Sequence, residues 1–374
     1  MNLSSLPSEI IDEILLFAAY KHPECARALA ITSSWTKRLV ERALYSTVTL
    51  VDKSQRSGFF SALGIATLPF PKDRLIIDLF RLSFNDIPAL RPSQETRNRA
   101  GLITNLWLIP LARQDSYPAL SLEDHIYTRL LLHLCANVRN LAMTGTTFSH
   151  FLSNKAEHFD SMMARDPATQ PAGLTPYPDL TDLTLLDSTP SLIMEGQYTR
   201  SEDCVKIFKY LSHFTTYGYF HRNGLPVSIQ HFPALTHVAV PLVLDNSVIH
   251  NDSERAYTSL ELFEKSGGWR LLNSAEQIEM MVFLFPSDGR LNIESHLSTH
   301  RLYHDPTSLV LDANRFNRKA YALPIDGLRG LENLWLAAAR GGQNLWDSAK
   351  IELHKRQSEI ENGNDDKMGP FIVD

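Results

Sequence analysis

Cysteine is scarce. Cys25, Cys135 and Cys204 are the only three, far apart and without a CxxC pair. Such scatter argues against a disulfide framework and for a reducing compartment. Long apolar runs are missing too: no stretch approaches the eighteen or so residues of a membrane span, so no membrane contact is expected. Basic charge is in deficit, with 36 Lys and Arg against 42 Asp and Glu and a net charge of −6. The chain therefore has no positive field for holding phosphate backbones, and nucleic acid is not an expected partner. Glu9, Asp12 and Glu13 stand where a secretory leader would carry bases, so no leader is expected. Asn2-Leu3-Ser4 and Asn251-Asp252-Ser253 then match the glycosylation pattern by chance, and a cytoplasmic or nuclear location is expected.

The signatures of catalysis are equally sparse. There is no GxSxG elbow, and the pairs Gly267-Gly268 and Gly341-Gly342 lack the Lys-Ser/Thr of a phosphate loop, which leaves them as helix ends or turns. His296, His300 and His304 sit four apart and would share a helical face. No glutamate fills the general-base position of an HExxH site, however, and Pro306 follows closely. Solvated histidines are the expected reading. No catalytic residue, cofactor or metal is expected, although a dyad assembled from distant residues would leave no trace in sequence.

What the chain does have is ordinary globular material. Its 374 residues are 44% hydrophobic and 21% charged, enough for a large core and one to three domains. The most organised stretch is Leu6 to Leu50. Pro7 suits a first helical turn, and Glu9, Asp12 and Glu13 place negative charge at the positive end of the helix dipole. Ile10, Ile11, Ile14, Leu15 and Ala18 form an apolar stripe. His22-Pro23 ends that helix, because proline disfavours helix in the residue before it. A short second helix is expected over Glu24 to Ala30. A third follows from Trp35, Leu39 and Ala43, one turn apart, with Lys37, Arg38 and Arg42 on its wetter side. Helices this short cannot bury all their apolar surface against one another, so they need a further surface to pack on.

Leu6-Pro7-x-Glu9, Ile10-Ile11-x-x-Ile14-Leu15, a break, Leu29 and the Ser34-Trp35 pair resemble an F-box. The resemblance covers about the first forty-five residues. It departs from the usual pattern over Lys21 to Ala28, which is poor in large apolar residues, and at Ser33-Ser34, where Val-Cys is commoner. It implies docking to a Skp1-like subunit of a cullin-RING ubiquitin ligase through Leu6, Pro7, Ile10, Ile11, Ile14, Leu15, Trp35 and Leu39. Some of these residues must instead knit the helices together, and the sequence does not divide them.

Beyond Tyr45 one local pattern recurs: apolar, two residues, apolar, one residue, apolar. It runs through Tyr45-x-x-Val48-x-Leu50, Leu79-x-x-Leu82-x-Phe84, Ile103-x-x-Leu106-x-Leu108 and Val138-x-x-Leu141-x-Met143. It continues as Leu180-x-x-Leu183-x-Leu185, Leu235-x-x-Val238-x-Val240 and Ile278-x-x-Met281-x-Phe283. Leu331-x-x-Leu334-x-Leu336 is a weaker copy, since its surroundings also read as helix. The last two apolar positions alternate with their neighbours as a strand requires. Helices are expected between copies, over Ser121 to Cys135, Ser201 to Phe214 and Ser259 to Leu272. Strand, loop, helix, loop is the unit of a leucine-rich solenoid, and the uneven spacing resembles the irregular leucine-rich domains found behind F-boxes. An ordinary α/β domain with similar buried strands remains the alternative.

Leu345 to Glu361 reads as a charged helix anchored by Leu345, Trp346, Ala349, Ile351 and Leu353, and Asn362 to Asp374 as a loose acidic tail. Tyr217-Gly218-Tyr219-Phe220-His221 and Trp269 could anchor a partner or pack an insertion. The expected fold class is α/β (α+β). Residues 1–45 form a three-helix F-box-like domain, 46–340 an irregular leucine-rich-repeat-like solenoid of parallel strands and helices, and 341–374 a helix and tail. The implied function is a substrate-recruiting adaptor that binds Skp1 at one end and an unknown protein target at the other. A free-standing interaction scaffold, its helical segment merely capping the first strand, is the other reading. An enzyme with an unrecognised site is a third.

Overall fold

Proline placement fixes the first helical boundaries. In the computed structural model, α1 (Ser8–Lys21) starts from Pro7, whose carbonyl accepts from the N–H groups of Ile10 and Ile11 at 3.1 and 3.2 Å. His22 is extended, and Pro23 opens α2 (Pro23–Thr32) at a position where its missing N–H is harmless. The second helix thus runs longer at both ends than the expected Glu24 to Ala30. Ser33 caps α3 (Ser34–Ser46) with a reciprocal box: its hydroxyl accepts from Thr36 N–H at 3.1 Å, and Thr36 Oγ1 accepts from Ser33 N–H at 3.0 Å. The departure from the F-box pattern at Ser33 therefore has a local use.

The structure describes residues 6–64, 93–108, 131–132, 134–144, 179–186, 208–217, 232–241, 277–286 and 320–361. Among them are seven helices and eight strands, and every pairing described is parallel, so this is an α/β chain. Two compact units share it. The first holds α1 to α3, β1 (Thr47–Leu50), α4 (Lys53–Ala62), α5 (Gln94–Ala100), β2 (Asn105–Leu108) and β3 (Asn140–Met143). The second is built on β4 (Asp182–Leu185), β5 (His213–Thr216), β6 (His237–Pro241), β7 (Met280–Pro286) and β8 (Ala320–Ile325), with α6 (Gly327–Ala339) and α7 (Leu345–Glu361).

Within each unit, strands pair in chain order and in register. Val48 faces Leu106, which faces Leu141; Leu183, Phe214, Val238 and Met281 form the equivalent row in the second unit. These are the middle positions of the recurring apolar pattern. The leading residues Ile103, Val138, Leu180, Leu235 and Ile278 are buried as well. Strand entry repeats one arrangement, in which two successive N–H groups converge on a single carbonyl of the preceding strand's entry. Arg139 and Asn140 donate to Thr104, Ser212 and His213 to Thr181, Thr236 and His237 to Ser212, and Glu279 and Met280 to Thr236.

Four expectations need correction or restriction. Leu331-x-x-Leu334-x-Leu336 lies in α6, where its i, i+3 spacing serves a helical face. The helix expected over Ser201 to Phe214 does not reach its end: Phe208–Tyr210 is a turn, and His213 starts β5. Its copy, Leu211-x-x-Phe214-x-Thr216, ends in a threonine, which hid it from an apolar pattern. In α7, Leu345, Trp346 and Ala349 are buried as expected, but Ile351 is exposed. Leu79-x-x-Leu82-x-Phe84, most of Ser121 to Cys135, Ser259 to Leu272, the acidic tail and the histidines at 296, 300 and 304 lie outside the described residues.

The smaller helices are capped by side chains, Asp52 accepting from Gln55 N–H at 2.7 Å and Ser93 from Thr96 N–H at 3.0 Å. Thr96 then donates to the Leu63 carbonyl at 2.6 Å, fastening α5 to the end of α4. No described helix is long and apolar enough to cross a membrane. Replacing Ser33 with Ala removes the half of the α3 box in which the hydroxyl accepts from Thr36 N–H, leaves the backbone N–H of residue 33 donating to Thr36 Oγ1, and should cost about 1 kcal/mol, measured by urea denaturation. A loss below a few tenths of a kcal/mol would mean that water substitutes for the cap.

Candidate functional site

The three-helix cluster buries small side chains and leaves large ones outside. Its own core is Ala19, Ala26 and Val40, with Leu29, Ala30, Ala43 and Leu44 packed against them. Alanines at these contacts let the helices approach closely, so little of the large apolar surface is used in holding them together. On α1, Ile10 is 41% exposed, Ile14 48% and Phe17 66%. These three fall at i, i+4 and i+7, which makes a single stripe along the helix. At the α2–α3 junction, Ile31 is 88% exposed and Trp35 45%. Scattered surface leucines are unremarkable, but five large exposed apolar side chains within three short helices mark a surface suited to association.

The eight residues singled out from the sequence divide unevenly. Ile10, Ile14 and Trp35 point outward, while Leu6, Ile11, Leu15 and Leu39 are half-buried. Pro7 is exposed, and its carbonyl starts α1. Phe17 and Ile31, the two most exposed, were not anticipated. Phe17 could have been found by extending the stripe from Ile14 by three residues. Ile31 carries no such signal, since it closes a helix whose far end was drawn too short. The rim is charged: Glu9 and Glu13 on α1, and Lys37, Arg38 and Arg42 on α3, are exposed. Lys21, in the last turn of α1, donates to the carbonyls of Arg340 and Gly341 at 3.0 and 3.2 Å, tying that helix end to a later part of the same unit. Gly341 has φ +69, a conformation glycine adopts without strain, in keeping with its reading as a turn.

Side chains able to do chemistry gather elsewhere, at the strand entries of the second unit. Asp182, His213 and His237 occupy the first positions of β4, β5 and β6 and are register partners. His213 Nδ1 lies 3.3 Å from Asp182 Oδ1 and 2.8 Å from Ser212 Oγ, and His237 Nδ1 lies 2.8 Å from Thr236 Oγ1. The imidazole rings stand 4.6 Å apart, and Trp346 of α7 lies against both, at 5.3 and 5.2 Å between centroids. Burial lowers the pKa of His213, against the pull of the Asp182 carboxylate. Burial raises that of Asp182, against His213 and the Thr181 hydroxyl. His237 is pushed down to about 4, mainly by burial and then by His213.

Both hydroxyl partners lie at Nδ1, in hydrogen bonds whose direction follows the histidine tautomer. Burial also drives the Cys135 thiol far above its ordinary pKa, which keeps it from acting as a thiolate. Among the described residues no three His, Cys, Asp or Glu side chains converge as metal ligands. Of the aromatic cluster beginning at Tyr217, only Tyr217 is described; it is half-buried, and its N–H donates to Leu185 at 2.8 Å.

If the outward ridge plays no part in holding the helices together, Phe17→Asp and Ile31→Asp should each leave stability within about 0.5 kcal/mol of the parent. Val40→Asp, which buries a charge in the core of the cluster, should cost more than about 3 kcal/mol. Thermal denaturation of the three variants separates the two classes. Comparison with family models, with curated proteins and with solved structures finds no match to the chain.

Proposed function

We propose that the chain is an adaptor that docks a Skp1-like subunit of a cullin-RING ubiquitin ligase on α1 to α3 and recruits a protein target through its parallel-strand region. The observation that carries this reading is the separation of tasks within the helices. Ala19, Ala26 and Val40 hold them together, which leaves Ile10, Ile14, Phe17, Ile31 and Trp35 free for another surface. Aromatic and large aliphatic side chains of this kind supply most of the energy of protein interfaces. Full burial of such a side chain contributes about 1.5–3 kcal/mol before the costs of association, and those already half-covered contribute in proportion to the area still exposed. Pro7, Ile10, Ile14 and Trp35 also carry the F-box resemblance, and Phe17 extends the same stripe.

An adaptor does no bond chemistry. It tethers, raising the local concentration of a target lysine at a ubiquitin-loaded partner, so that transfer proceeds as if within one molecule. The strand region fits the recruiting part because its apolar positions are spent on stacking. Target recognition would then fall to the connecting segments, as is usual for irregular repeat domains.

One observation favours a free-standing scaffold instead. The first strand leaves α3 without a connecting residue, Ser46 ending the helix and Thr47 starting β1, and the Ser46 carbonyl accepts from Thr104 N–H at 3.0 Å. A helical segment continuous with the first strand is what an edge cover would need.

Co-purification with a Skp1-like subunit separates the two readings. The parent chain should retain that subunit, and the double variant Ile14→Asp/Phe17→Asp should lose at least about a hundredfold in affinity while keeping its melting temperature. Failure of the parent to bind, or full binding by the folded double variant, would sink the adaptor reading.

A further inference from the structure

The His213 and His237 rings stand 4.6 Å apart at an interplanar angle of 40°. They share one indole, that of Trp346, which is buried with Leu345 and Ala349 in the first turn and a half of α7. While both rings are neutral, the assembly is an aromatic cluster of three, with ring separations in the favourable range. We propose that this cluster is a proton-sensitive clasp: the neutral stack grips Trp346, and a second proton on the stack releases the start of α7 from the strand entries.

The two histidines are unequal in a way that makes the second proton decisive. His213 has Asp182 beside it, 3.3 Å from its Nδ1, so a first proton forms a partly sheltered ion pair. An imidazolium over an indole face is also tolerated. His237 then faces that cation at ring-stacking distance. The other charges acting on His237 among the described residues are Glu279, just ahead of β7, which favours its protonation, and Lys350 on α7, which opposes it. Lys350 lies four residues beyond Trp346, so both project from one face of the helix. A doubly protonated stack thus places two imidazoliums and an ammonium against one acid on each side, around a buried indole. Separating α7 from the strands relieves that crowding.

The sign follows from His237. Held in place, its pKa is about 4, whereas a released, solvated histidine titrates near 6.5. The released state therefore binds the proton better, and the grip on α7 is fully present above pH 6.5 and is lost as the pH falls toward 4. Release bares Leu345, Trp346 and Ala349, an apolar patch that is covered at neutral pH.

Hydrogen exchange of the full chain, corrected for the intrinsic effect of pH on amide exchange, reads the grip directly. Between pH 7.5 and 5, protection of residues 345–353 should fall about tenfold more than protection of α2 and α3 in the same sample. His237→Gln should flatten that dependence. Lys350→Ala and Glu279→Gln alter exposed side chains and should shift release in opposite directions, the first to lower pH and the second to higher. Undiminished protection of 345–353 at pH 5 in the parent chain overturns the proposal, and so does an unaltered pH dependence in His237→Gln. Should His237→Gln fail to hold α7 even at pH 7.5, the opposed shifts decide, and their absence overturns it equally.

Discussion

The paired N–H groups at the entries of β3, β5, β6 and β7 set what lies downstream of them. A parallel strand of four residues has few ladder bonds with which to choose its register, and a slip by one would turn every side chain to the opposite face. Where two successive N–H groups converge on one carbonyl, as Ser212 and His213 do on Thr181, the strand is pinned at its first ladder residue. Thr236 and His237 repeat the arrangement on Ser212, and Glu279 and Met280 repeat it on Thr236. Each pin is built on the previous one. Register therefore passes from strand to strand within the unit, and equivalent positions of unrelated sequence end up stacked.

Two rows of side chains follow from that pinning, and they have opposite characters. The second ladder position is apolar in strand after strand, Leu183 on Phe214 on Val238 on Met281, and supplies core. The first position is polar in the first six strands: Thr47, Asn105 and Asn140 in the first unit, and Asp182, His213 and His237 in the second. In the first unit the row satisfies itself, with Asn140 donating to Asn105 and Asn105 to Thr47 and the Ser46 carbonyl. In the second unit ionisable side chains occupy the same row, which puts two imidazoles within ring contact. The ladder thus places the two residues side by side on adjacent strands, within reach of ring contact.

This division also explains what could be read from the sequence. Rows of large apolar residues are visible in a string of letters, and the copies at Val48, Leu106, Leu141, Leu183, Val238 and Met281 all lie in strands. Strand β5 escaped because Thr216 fills its last buried position, and β8 because small residues, Ala320 and Ala322, are the register partners of Met281 and Phe283. In β5 a hydroxylated residue suffices once neighbouring strands supply the bulk. The reverse error, Leu331 to Leu336, arose because an i, i+3, i+5 pattern satisfies a helix nearly as well as a strand. The contact of His213, His237 and Trp346 joins residues more than a hundred positions apart, and no local spacing encodes it.

The helices at the front show the opposite balance between what sequence displays and what packing uses. Amphipathic patterning marks the residues that want to be covered without saying what covers them, and the largest apolar side chains of α1 are the natural candidates for its core. Yet Ala19 is the residue of α1 that is fully buried, beside Ala26 of α2 and Val40 of α3. Small side chains at the crossings suit a close approach of short helices, since the side chains at a contact set the distance between the axes. Ile10, Ile14 and Phe17 lie on the part of α1 turned away from that core and stay exposed. A cluster packed through isoleucine and phenylalanine would spend those side chains on itself and would offer a partner mainly the polar faces. With alanines and a valine at the centre, the larger apolar side chains of the stripe remain outside.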